Sequence, residues 1–268
     1  MDRLAMCRIS FERFRLRRFR TIKDGGVWFD VYSSLYHQCS VYSATFAAMP
    51  HIVHIAESGT VAQRVAIMGL AGDMRISAYA DESIPADLLA EFESAVETVK
   101  KFSLRTMQDA ACEHIFDAQW KLGESLRAFG GLRYPKSGFV VQLGYLVIEG
   151  GRVESECPAC GETMLARFDE RGIVCLRITD GGNGIPEFAK AFPVNRSGYP
   201  RLISKGQAIL ADGRPDWLVE DTPAVLAALA MEFDDELFAA RILDLSATIC
   251  CAYCGQECEL SKTLPPRN

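Results

Sequence analysis

Histidine is scarce in this sequence, and so are the signatures of the common enzyme chemistries. The 268 residues include 4 histidines, at positions 37, 51, 54 and 114. No glycine-rich loop leads into Lys and Ser/Thr, which removes the usual phosphate cradle of nucleotide-binding folds. Gly181-Gly182-Asn183-Gly184 follows Asp180 and has no basic neighbour, so it offers no such cradle either. Ser58 and Ser125 stand in no nucleophile-elbow context. Long apolar runs are also missing. The two longest, in SGFVVQLGYLVIEGG and TPAVLAALAMEF, are interrupted at Gln142 and Glu232, short of the ~20 residues a membrane-crossing helix needs. No apolar stretch with a small-residue cleavage site follows the Arg-rich start, so export is not expected and a reduced, cytoplasmic setting is.

What is present is the composition of an ordered protein, 49% apolar, 24% charged and 10% aromatic, with enough length to bury a core. The formal charge of −6 is unevenly spread. Residues 1–23 carry eight Arg or Lys against two acids, while the remainder carries 21 against 33. A protein that binds nucleic acid over its whole surface is therefore excluded. A local basic contact is not: Arg13, Arg15, Arg17, Arg18 and Arg20 alternate with Phe14, Leu16 and Phe19, and guanidinium groups with aromatic rings suit phosphates and bases, or an acidic protein partner. The plainer reading is a basic edge strand or amphipathic helix.

The pattern predicts an α+β fold with a sheet-containing N-terminal region, a central helical hairpin and a C-terminal zinc-ribbon-like unit with a long helical insertion. Aromatic and branched residues in VWFDVYSSLYHQCSVYSATF, then VAQRVAIMGL and MRISAYA joined across Ala71-Gly72-Asp73, read as strands and turns within residues 1–82. Residues 83–136 read as the hairpin. Pro85 starts a helix with Leu88, Leu89, Phe92, Val96, Val99 and Phe102 as its stripe, and a second helix runs from about Met107 to Phe129, with Leu122, Leu126 and Phe129 inward and Glu124 outward. Within 137–268, FVVQLGYLVI and RVESE read as strands, and TMLARF, DERG and IVCLRI as a hairpin. A short helix is expected near Pro186 to Phe192 and another in YPRLISKGQAIL up to Asp212-Gly213; from Thr222-Pro223 the apolar positions continue through Leu245 as one long helix or as two, with FDDE as the place for an interruption.

Two segments carry chemistry. Cys157-Pro158-Ala159-Cys160-Gly161 and Cys251-Ala252-Tyr253-Cys254-Gly255 each place two thiols across a tight turn. Glycine after the second cysteine lets the chain reverse while backbone N–H groups point at the sulfurs. One segment supplies half of a tetrahedral metal site, and the two together supply all of it. They resemble the knuckles of the zinc-ribbon and zinc-knuckle class, which implies a structural Zn²⁺ held by Cys157, Cys160, Cys251 and Cys254; four-thiolate iron has the same geometry. The second segment lacks the proline, and the separation exceeds that of a compact ribbon, so residues about 184–248 become a helical insertion whose ends return to one ion. Loop closure grows by only about 0.6 kcal/mol per doubling of length, so the excursion is no obstacle.

Alternative ligand sets are weaker. Cys250, Cys251, Cys254 and Cys258 also number four, but adjacent Cys250 and Cys251 point apart. Cys7, Cys39, Cys112 and Cys175 read as core residues. His51 and His54 with Glu57 suit a metal only if that stretch is helical, which Pro50 and its β-branched residues argue against. With the metal closed and no catalytic constellation visible, the expected function is a non-catalytic zinc-containing adaptor or complex subunit recognising a protein partner. The alternatives are nucleic-acid binding through the Arg/Phe segment and zinc region, and an enzyme, with hydrolase as the class considered, whose site the letters do not reveal.

Overall fold

The computed structural model describes residues 32, 35–37, 40–41, 43–77, 84–116, 119–141, 143, 152–169, 172–177, 189–213 and 216–264. Its N-terminal part is helical, which corrects the expected N-terminal sheet. A two-residue hairpin, β1 (Tyr36–His37) with β2 (Ser40–Val41), is followed at once by α1 (Ser43–Glu57) and α2 (Val61–Ser77). The strand reading failed at α2 for a physical reason. Packed against α1, α3 (Ala86–Cys112) and α4 (Gln119–Gly131), this helix is buried almost continuously from Ile67 to Ile76, so it shows no polar face and no helical period.

The residues that read as a turn in α2 have other roles. Gly72 sits where a Cβ would come within 2.5 Å of Ala128 on α4, so it permits close helix contact. Asp73 is buried and accepts hydrogen bonds from Tyr32 Oη at 2.9 Å and Arg127 Nη1 at 2.5 Å, and Arg127 also lies 3.7 Å from Glu124. Glu124, expected outward, therefore points into the protein.

The helical hairpin is rearranged as well. The first helix runs unbroken for 27 residues, through the Ser103–Thr106 stretch where a link was expected; it ends at Cys112, and α4 begins at Gln119. Ser103 is buried because its hydroxyl serves a packed cation. Arg133 donates to Ser103 Oγ at 3.1 Å and to the Phe129 carbonyl at 3.0 Å, with its guanidinium 4.2 Å from the Phe129 ring and 4.4 Å from the Trp217 ring. Burial holds the Arg133 pKa down at about 10. Trp217 comes from the C-terminal half, so this cation joins the two halves. Phe92, Val96, Val99, Leu122, Leu126 and Phe129 are buried as expected, whereas Leu89 is exposed.

The sheet lies in the middle of the chain. β3 (Arg152–Glu156), β4 (Thr163–Asp169), β5 (Gly172–Arg177) and β6 (Ala189–Pro193) form an antiparallel meander in sequence order. The hairpin read from TMLARF and IVCLRI is present, with Leu165 opposite Leu176 and Ala166 opposite Cys175. Two readings change. Residues 138–141 are helical rather than a strand, and 189–193 form the fourth strand where a short helix was expected.

The C-terminal half follows the sequence more closely. α5 (Tyr199–Ala211) ends at Asp212-Gly213, with Gly213 at φ +68°. α6 (Thr222–Glu232) carries proline in its first turn, and α7 (Glu236–Asp244) starts afresh with the Asp235 side chain accepting from Phe238 N. Ala224 to Ala230 are all buried because α6 is surrounded by α5, α7, α4 and α3. At the close contact with α5, a Cβ on Gly206 would strike the Ala224 carbonyl. Behind α7, buried Asp244 accepts from Arg196 at 3.1 and 2.6 Å and from Tyr199 Oη at 2.6 Å, a two-pronged ion pair that fixes the approach to α5. The chain then forms the hairpin β7 (Thr248–Cys250) with β8 (Glu257–Glu259) and the helical turn α8 (Leu260–Thr263). Among the described residues no helix is long and apolar enough to cross a membrane.

Candidate metal centre

The two cysteine segments fold into the same object. Each is the turn of an antiparallel hairpin, closed by the pair Glu156 opposite Thr163 in one case and Cys250 opposite Glu257 in the other. In the first, Cys157 N donates to Glu162 O at 3.0 Å and Gly161 N to Cys157 O at 2.9 Å. In the second, Cys251 N donates to Gln256 O at 2.8 Å and Gly255 N to Cys251 O at 3.0 Å. Gly161 and Gly255 adopt φ +72° and +76°, the left-handed backbone that glycine takes without steric cost. The proline of the first knuckle is not needed for this shape, since the second achieves it with Ala252.

Both knuckles meet. The sulfurs of Cys157, Cys160, Cys251 and Cys254 all lie within 4.8 Å of one another, with Cys157 Sγ 3.7 Å from Cys254 Sγ and Cys160 Sγ 3.7 Å from Cys251 Sγ. A disulfide would bring two sulfurs to about 2.05 Å. Four sulfurs at the ~2.3 Å metal–sulfur distance of a tetrahedral zinc site stand about 3.8 Å apart along each edge. The two 3.7 Å spacings match an edge of such a tetrahedron and all four sulfurs stay within 4.8 Å, so the cluster is capable of coordinating a metal. Cys157 and Cys251 are buried, while Cys160 and Cys254 are exposed.

The electrostatics agree. Burial works against ionisation of Cys157, but the backbone N–H groups of Cys160 and Ala159 outweigh it and bring the thiol down to about 7. At Cys160 the N–H of Glu162 favours the thiolate, yet partial desolvation and the three neighbouring sulfurs together push it up to about 12. Four like charges cannot share this volume unaided; a divalent cation removes the conflict and displaces the protons.

Second-knuckle placement depends on a residue the sequence did not single out. Arg177, at the end of β5, donates from Nε to the Ala252 carbonyl at 2.7 Å and lies 5.2 Å from the Tyr253 ring centre. Nothing in a lone arginine at a strand end would have marked it. Tyr253 N also donates to Cys251 Sγ at 3.3 Å, the kind of contact that steadies a ligating thiolate. Cys250 and Cys258 flank the cluster on β7 and β8, opposite Glu257 and Ile249, and do not form the alternative four-sulfur set. Cys175 is buried on β5, its thiol raised to about 12 by burial and then by nearby Cys258, Cys250 and Cys251.

No family model, curated protein or solved structure matches the chain. Among the described residues, the four cysteines are the one group of three or more ligating side chains close enough to share an ion. His51 and His54 lie on α1, a helix despite Pro50, but both are exposed, and His54 pairs with Glu57 at 3.6 Å. His114 is an exposed turn residue at φ 50° behind α3, and Cys112 beside it is exposed rather than core. Arg13, Arg15, Arg17, Arg18 and Arg20, with Cys7 and Cys39, lie outside the described residues.

Proposed function

We propose that the four sulfurs hold a structural Zn²⁺ and that the chain acts as a non-catalytic adaptor or complex subunit recognising a protein partner. One observation carries this reading. Four sulfur donors complete a tetrahedral shell, leaving no position at which water or substrate could bind the ion. An all-sulfur tetrahedron favours zinc or iron over harder ions, and zinc adds no redox chemistry of its own. The ion would tie β7, β8 and the helices α5 to α7 to the β3–β4 hairpin, making residues 137–268 one clamped region. Its exposed rim, Pro158 to Glu162 and Cys254 to Glu257, would then be a rigid surface suited to docking.

The test uses the full chain, loaded with zinc under reducing conditions. A protein partner predicts a stoichiometric complex that survives nuclease treatment and is lost in the Cys251→Ser variant. Retention on a polyanion column that weakens when Arg15, Arg17 and Arg18 become Ala, with a reduced salt slope, would favour nucleic acid instead. Turnover surviving removal of the metal would place catalysis elsewhere in the fold and refute the non-catalytic assignment.

A further inference from the structure

We infer that the four-sulfur cluster is a peroxide-responsive metal site that locks itself shut across the two knuckles when it oxidises. This rests on the metal-centre reading above and adds regulation to it. Each knuckle contributes one exposed sulfur, Cys160 or Cys254, and one buried sulfur, Cys157 or Cys251. The two 3.7 Å approaches join exposed to buried across the knuckles, Cys160 to Cys251 and Cys254 to Cys157. A peroxide reaches an exposed sulfur first. The thiolate of Cys160 attacks the O–O bond, forming an S–O bond and releasing hydroxide, and leaves a sulfenic acid. The thiolate of Cys251 then attacks that sulfur; the S–S bond forms and the S–O bond breaks, with hydroxide leaving. Cys254 and Cys157 repeat the sequence with a second peroxide. Two peroxides are reduced to four waters by four protons and the four electrons that the four thiolates give up in forming two disulfides, and the divalent ion departs because a disulfide sulfur no longer carries the charge that held it.

The pairing matters structurally. Disulfides within Cys157–Cys160 and Cys251–Cys254 would let the knuckles separate, whereas the crossed pairs keep the β3–β4 and β7–β8 hairpins joined without metal. A thiol reductant and fresh zinc then restore the original state.

The experiment treats the full, zinc-loaded chain carrying Cys112→Ser, which removes an exposed thiol outside the cluster, with hydrogen peroxide while a chromogenic chelator reports released zinc. One zinc released per chain, non-reduced peptides linking Cys160 to Cys251 and Cys157 to Cys254, and recovery of zinc after reduction are expected. In Cys160→Ser, or on the parent chain if that variant fails to fold, mapping should still show the Cys157–Cys254 link. Zinc bound but retained under peroxide, or links confined within each knuckle, overturns the inference while leaving the metal centre intact. A chain that binds no zinc under reducing conditions overturns both.

Discussion

If one ion bridges two hairpins ninety-odd positions apart, stability must depend on free zinc with the stoichiometry of one. An ion that binds the folded chain and not the unfolded one stabilises it by RT ln(1 + [Zn]/Kd), which above saturation is about 1.4 kcal/mol for each tenfold rise in free zinc. The structure sets the coefficient, because four sulfurs within 4.8 Å make one site. For a chain of 268 residues, an unfolding entropy of about 2.1 cal/mol/K per residue converts that slope into a rise of about 2–3 °C in melting temperature per decade. The assay is urea and thermal unfolding in buffers that fix free zinc, with a reductant present, followed by circular dichroism and by tryptophan fluorescence. Trp217, stacked 5.5 Å from Phe129, reports the junction between the halves. Cys157→Ser, which removes a buried ligand, should flatten the dependence. A flat response in the parent chain, or a slope near 2.8 kcal/mol per decade, would refute the single shared site.

Other outcomes follow from packing and exposure. Gly206→Ala should destabilise by about 1–3 kcal/mol, because the new methyl runs into the Ala224 carbonyl, whereas Gly69→Ala, with nothing within 4 Å of its added carbon, should stabilise by about 0.5–1 kcal/mol through helix propensity; opposite signs in urea melts are the check. Ser155→Ala should be neutral or stabilising by up to about 1 kcal/mol, since the buried Ser155 hydroxyl finds no partner among the described residues, and a loss above about 2 kcal/mol in urea would show that the hydroxyl serves the adjoining knuckle. Alkylation of the zinc-loaded chain at pH 8 should modify exposed Cys112 and spare Cys175, whose burial keeps it protonated well above that pH; equal labelling by mass spectrometry would contradict the fold around β5.

The four-cysteine cluster was legible because its chemistry is local. Two thiols and a glycine within five residues define a knuckle by themselves, and only their meeting required the fold. The β4–β5 hairpin and the C-terminal helices were legible for a related reason: the letters DERG stand between the two strand patterns, and Gly213 and Asp234-Asp235 stand where helices end, residues suited to turning the chain. The N-terminal helices were not. α2 is enclosed by three helices, so its apolar residues run consecutively instead of forming a stripe, and Gly72 and Asp73 mimic a turn while serving a tight contact and a buried ion pair. Ser103 and Thr106 resembled a linker for the same kind of reason, since a buried serine that receives Arg133 is indistinguishable in sequence from one that faces water. Asp73 was misread as part of a turn because its partner Arg127 lies 54 positions along the chain.

X-ray absorption at the metal edge, recorded on the reduced full-length chain, bears most directly on the bridge between the knuckles. One zinc per chain surrounded by four sulfurs at about 2.3 Å is expected, with a ligand lost from the spectrum when either Cys157 or Cys254 becomes Ser. Oxygen or nitrogen in the parent shell, fewer than four sulfurs, or a spectrum unaltered by one of those two substitutions would contradict the bridge.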